Sequence, residues 1–71
     1  MPKSFKNNPP KERQFDNYMF ELWDGGGIFK KEGKEGFKNK SFALDIAKDI
    51  RMFGTRARVV KFGDRYFIYV F

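Results

Sequence analysis

Between Arg56 and Phe71, polar and apolar positions alternate on both sides of the dipeptide Gly63-Asp64, which predicts two strands joined by a two-residue turn. Pairing across that turn sets Phe62 opposite Arg65, Val60 opposite Phe67, Arg58 opposite Tyr69 and Arg56 opposite Phe71 on one face. The other face carries Lys61 with Tyr66, Val59 with Ile68 and Ala57 with Val70. The second face is a modest apolar core surface. The first mixes arginine with aromatic rings, a composition that a helix-covered surface does not need.

Upstream, Ser41 to Phe53 carries the clearest helical period, with Phe42, Ile46, Ala47, Ile50 and Phe53 recurring on one side. Ser41 is the expected N-cap and Gly54 the left-handed residue that stops the helix. Phe15 to Trp23 reads as a strand, with Tyr18, Phe20 and Leu22 on one face and Phe15, Met19 and Trp23 on the other. After the turn residues Asp24-Gly25-Gly26-Gly27, Ile28 to Lys31 is expected to return as a short strand. Residues 30–40 combine lysines and glutamates with Gly33 and Gly36 and read as a mobile loop or wide turn. Residues 1–14, with three prolines, two asparagines and a basic balance, read as a flexible arm, and Phe5 is the residue expected to dock it. The domain proper is then 15–71.

The order is β-β-α-β-β, an α+β fold with a three- or four-stranded, mostly antiparallel sheet and one helix on one face. The last strand is expected between the first strand and Arg56–Phe62, antiparallel to both. The helix is expected to cover Tyr18, Phe20, Leu22, Ala57, Val59, Ile68 and Val70. That leaves Met19, Trp23, Arg56, Arg58, Val60, Phe62, Phe67, Tyr69 and Phe71 without a second layer. Such a patch marks an interaction site. Its competing explanations are cover by the N-terminal arm and burial in a homodimer.

Composition narrows the chemistry. At 71 residues the chain is one domain, and a chain of this length buries only about 60% of its unfolded surface. There is no cysteine and no histidine, which removes disulfides, thiolate metal sites and the commonest general base. The absence of cysteine fits a cytoplasmic chain. Aromatic residues make up 20% of the sequence, more than one small core uses, and the formal net charge is +6. A basic domain with surplus rings points to an anionic partner. No apolar run approaches the roughly 20 residues that span a bilayer, and the N-terminus reads as neither an export signal nor an anchor.

Catalytic patterns are weak. Gly27 to Gly33-Lys34 resembles a phosphate loop only superficially: five residues separate the glycines, and Glu35 stands where Ser or Thr would hold magnesium. Asp45 and Asp49 share a helical face near Lys48 and read as solvated surface. No nucleophile and base pair assembles, so no catalytic residue, metal or cofactor is expected.

Ser41-x-Ala43-x-x-x-Ala47, Ile50, Gly54, Ala57-x-Val59-Val60, Gly63 and Tyr66-x-Ile68-x-Val70 together resemble part of a SPOR domain over roughly 41–70. The resemblance implies a ferredoxin-like sheet and binding to peptidoglycan glycan strands in the bacterial envelope. The second helix and final strand of that fold have no counterpart in this sequence.

From the residues themselves, the leading expectation is a non-enzymatic protein that binds single-stranded or irregular RNA or DNA. Bases would stack on Phe67, Tyr69 and, at the chain end, Phe71, with Trp23 on the same face. Arg56 and Arg58 would engage phosphate or stack on a base, while Lys30, Lys31, Lys34, Lys38 and the arm add less specific attraction. The alternative is an accessory subunit or inhibitor that docks an acidic protein through the same face, because aromatic residues and arginine are enriched at interface centres.

Overall fold

A computed structural model describes residues 9–71. The basic arm expected from Lys3, Phe5 and Lys6 lies outside the described residues. Four strands form one antiparallel sheet: β1 (Glu12–Phe15), β2 (Tyr18–Leu22), β3 (Ala57–Phe62) and β4 (Arg65–Val70). Two helices lie between β2 and β3: α1 (Lys30–Glu35), entered through a 3-10 turn at Gly27–Phe29, and α2 (Lys40–Met52). The spatial order is β1-β2-β4-β3, so β4 runs between β2 and β3 and antiparallel to both, as the alternation predicts.

The register of β3 and β4 matches the sequence reading pair by pair, from Phe62 with Arg65 to Ala57 with Val70. Arg56 and Phe71 extend it, each donating its backbone N–H to the other's carbonyl at 3.2 and 3.0 Å. The sheet gains its fourth strand from an unexpected place. Glu12–Phe15 pairs with β2 through a turn at Asp16 and Asn17, both at positive φ (50° and 72°). Aspartate and asparagine tolerate that left-handed geometry better than other non-glycine residues, which suits them to a two-residue hairpin. Residues 12–14, expected in the arm, therefore belong to the sheet.

The expected strand at 28–31 is instead the 3-10 turn running into α1. Gly25, Gly26 and Gly27 all take positive φ and redirect the chain out of the sheet. Gly33 then lets α1 settle onto that glycine loop: a Cβ there would lie 2.3 Å from the Gly25 nitrogen. The region read as a mobile loop is thus a short helix, followed by Phe37, whose backbone exchanges hydrogen bonds with Tyr66 at 2.7 and 2.8 Å. On α2 the N-cap is Asn39 rather than Ser41. Asn39 has extended backbone, and its Oδ1 accepts from the Phe42 N–H at 3.1 Å. This starts the helix at Lys40 and places Ser41 inside it. Gly54, at φ 93°, follows the helix end as expected.

The sheet has a core on each face. On the α2 side, Phe37, Ala43, Ile46, Ala47, Ala57 and Ile68 are buried, with Trp23, Ile50, Val59 and Val70 packed against them. On the far side, Phe20, Phe67 and Tyr69 are buried, flanked by Phe15, Leu22, Val60 and Phe62. The expected facing of β2 is thereby reversed. Pairing Leu22 with Tyr69 puts Phe20 and Leu22 on the far face, and Trp23, donating its N–H to Ile68 at 2.8 Å, joins the α2 side. A shift of one residue in register exchanges every side chain between faces. The β1–β2 hairpin curls its rings over β4, Phe15 meeting Phe20 edge-on at 5.0 Å and Tyr69 at 6.1 Å.

Candidate functional site

The second core changes which residues face solvent. Phe67 is 4% and Tyr69 1% exposed, so neither ring is open to a base. The Tyr69 hydroxyl donates to the Pro10 carbonyl at 2.5 Å. Burial pushes its pKa above the ordinary tyrosine value, while the positive charge of Arg13 partly opposes the rise. Trp23 is half-buried and stacks on Phe37 at 6.4 Å on the α2 side of the sheet. Of the expected aromatic site, Phe71 alone stays open, at 54% exposure.

Around Phe71 the fold assembles a different group. Tyr18 opens β2 immediately after the hairpin turn and is 38% exposed. Its ring centroid lies 4.9 Å from that of Phe71. The Arg56 guanidinium carbon sits 4.2 Å from the Tyr18 centroid and 5.8 Å from the Phe71 centroid. The cause is the register: Arg56 and Phe71 are backbone partners at the end of β3–β4, and Tyr18 is on the same face one strand away. A cation over a tyrosine face is held by the ring quadrupole, which fixes the guanidinium without neutralising it.

Behind this cluster lies an open cleft of about 320 Å³, lined by Phe15, Asp16, Tyr18, Phe20, Arg51, Gly54, Thr55, Arg56, Ala57 and Arg58. Arg51, near the end of α2, donates its Nε to the Ala57 carbonyl at 3.0 Å, and among the described residues its terminal nitrogens have no hydrogen-bond partner. Gly54 opens one wall, because nothing lies within 4 Å of where its Cβ would stand. Arg58 hydrogen-bonds and ion-pairs with Asp16, and its guanidinium lies 5.7 Å from the Phe15 ring centroid. That is the only salt bridge among the described residues, so Arg51 and Arg56 line the cleft with no carboxylate partner there.

The lysines are elsewhere. Lys30, Lys31 and Lys34 are exposed on α1, and Lys38 is exposed just beyond it. This region packs beside the first residues of β4, where Phe37 bridges Tyr66. From Tyr66 to Phe71 is five residues, about 17 Å at the rise of a strand. Glu32 and Glu35 interleave with the lysines, and with Lys31, Lys38, Arg65 and Phe42 they line a second recess of about 360 Å³. The structure thus divides the expected site: Arg56, Arg58 and Phe71 stand at one end of the sheet and the four lysines at the other.

Tyr18 and Arg51 are the contributors that sequence reasoning missed. Asp16-Asn17, between Phe15 and Tyr18, is a turn signal that would have separated β1 from β2 and placed Tyr18 at a strand end. Among the described residues no group of three acidic, histidine or cysteine side chains is placed to hold a metal ion. No helix among them is long and apolar enough to cross a membrane. Comparison with protein-family models, curated proteins and solved structures finds no match to this chain.

Proposed function

We propose that this chain is a small non-enzymatic protein that binds single-stranded or locally unpaired nucleic acid at the Tyr18–Arg56–Phe71 end of its sheet. The observation that carries this reading is the Arg56 guanidinium held over the Tyr18 ring beside an exposed Phe71, at the mouth of a cleft that Arg51 also lines. Rings half open to solvent offer π-faces to unstacked bases, and arginines without carboxylate partners offer charge to the connecting phosphates. Bases inside a duplex are stacked on their neighbours and cannot meet those rings, which favours single strands or loops. The four lysines at the opposite end of the sheet supply long-range attraction rather than base contact, consistent with the net charge of +6.

The test is a titration of the protein against labelled single-stranded oligonucleotide at about 50 mM and about 200 mM salt. Two or three neutralised phosphates predict an affinity loss of roughly 7- to 18-fold over that interval, from a slope of about −0.7 per contact on single strands. Absence of binding at the lower salt contradicts the proposal.

A further inference from the structure

Phe53 is 88% exposed, and Met52 before it is 76% exposed. The fold makes no use of either, since the apolar stripe of α2 that meets the sheet ends at Ile50. Yet the Phe53 backbone is held firmly. Its N–H donates to Ile50 at 3.1 Å, and the following Gly54 N–H donates to Arg51 at 2.9 Å. The ring therefore projects from a fixed helix end, with cleft-lining residues on both sides of it in the chain: Arg51 before, and Gly54, Thr55 and Arg56 after.

We propose that Phe53 is a second base-stacking platform, and that a bound strand runs from the Tyr18–Phe71 rings across the Arg51–Arg56 cleft to Phe53. This rests on the nucleic-acid reading above and extends it from one base position to at least two. The surroundings decide the occupant. An apolar protein partner would have to bury Arg51 and Arg56 without a counter-charge, because neither holds a carboxylate among the described residues. A strand supplies both partners at once, a base for the ring and phosphates for the arginines. Gly54, which follows Phe53 in the chain, lines the cleft and has nothing within 4 Å of where its Cβ would stand.

Two variants test this with an oligo-dT of about twelve nucleotides, within the length that small single-strand binding sites cover. Phe53→Ala removes an exposed ring and is expected to leave the thermal midpoint unchanged while weakening oligo-dT binding roughly ten-fold. Phe53→Trp is expected to lose indole emission on saturation, whereas the parent, whose Trp23 is packed against Phe37, does not. Unchanged affinity for Phe53→Ala, or unquenched emission for Phe53→Trp, overturns the platform. If the parent binds oligo-dT and Arg56→Ala weakens it while Phe53→Ala does not, the platform fails and the proposed function stands. If the parent does not bind, both fall. Sedimentation showing that Phe53→Ala converts a dimer to a monomer, or binding of the parent but not Phe53→Ala to anionic phospholipid vesicles, also overturns it.

Discussion

The Tyr69 hydroxyl donates to the Pro10 carbonyl at 2.5 Å, tying the last strand to the segment that enters the first. With Phe15 and Phe20 above it, this contact seals the far face of the sheet and turns an expected ligand surface into a core. Tyr69→Phe keeps the ring and removes the donor, leaving the carbonyl without that partner, so it is expected to cost about 1 kcal/mol in urea unfolding at neutral pH. The pH dependence has a definite sign. Burial raises the folded-state pKa above the ordinary tyrosine value near 10.0, so the folded chain keeps a proton that the unfolded chain releases. That contribution is fully present below pH 10.0 and is lost as pH rises through the folded value. The stability gap between parent and Tyr69→Phe should narrow in alkali; a gap that widens contradicts the assignment.

Gly33 sets how closely α1 approaches the glycine loop. A Cβ at this position would lie 2.3 Å from the Gly25 nitrogen and 2.5 Å from the Asp24 carbonyl carbon, both backbone atoms that cannot rotate away. Gly33→Ala is expected to destabilise by about 1–3 kcal/mol, as overpacking does. Lys34→Ala, on the exposed side of the same helix, should stay within about 0.5 kcal/mol of the parent. Equal urea midpoints for Gly33→Ala and Lys34→Ala would show that the loop and helix do not pack this way.

Asp16 holds Arg58 in the place where a ligand phosphate would compete for it. Asp16→Asn suits the left-handed turn, at φ 50°, and removes the competing charge. Oligonucleotide affinity at low salt is expected to rise by roughly three- to ten-fold, with the salt slope steeper by about 0.7, one phosphate contact on a single strand. Weaker or unchanged binding would place Arg58 outside the ligand path.

Much of this architecture was legible because neighbouring signals agreed. In β3–β4, the alternation of Val59, Ile68 and Val70 against Arg58, Phe67 and Tyr69 coincides with the Gly63-Asp64 turn, and the register follows without ambiguity. α2 was legible from the period of Phe42, Ile46, Ala47, Ile50 and Phe53. Of these, Ile46, Ala47 and Ile50 join the core, while Phe53, past the last helical residue, stays 88% exposed, and Gly54 follows the helix end. The hidden parts depend on long-range contacts. Glu12-Arg13-Gln14 carries no apolar alternation and becomes a strand only because β2 offers it an edge. β2 carries Tyr18, Phe20 and Leu22 on one face and Met19 and Glu21 on the other, with Trp23 just beyond, and it is the pairing of Leu22 with Tyr69 that decides which face meets the helix. α1 is lysine, glutamate and glycine without a period, and its position comes from the Gly25–Gly33 approach. The reversed facing of β2 also explains why Tyr18 escaped notice as a partner of Arg56.

The two basic ends of the sheet should behave differently. Arg56→Ala removes both a phosphate contact and the cation that orders Tyr18, so it should weaken oligonucleotide binding more than Lys31→Ala and Lys38→Ala combined. Tyr18→Ala should cost about 1–3 kcal/mol of binding with little change in salt slope, as expected for lost stacking. A larger effect from the lysine pair would move the site to the α1 end.

Photo-crosslinking to an oligonucleotide carrying 5-iodouracil, with adducts mapped by mass spectrometry, tests the central claim most directly. Adducts on Tyr18 and Phe71, the half-open rings beside Arg56, and on Phe53 where the strand continues across the cleft, are the predicted result. Adducts confined to the α1 end, around Phe42 and the lysines, or no adduct under conditions where the strand is bound, would contradict it.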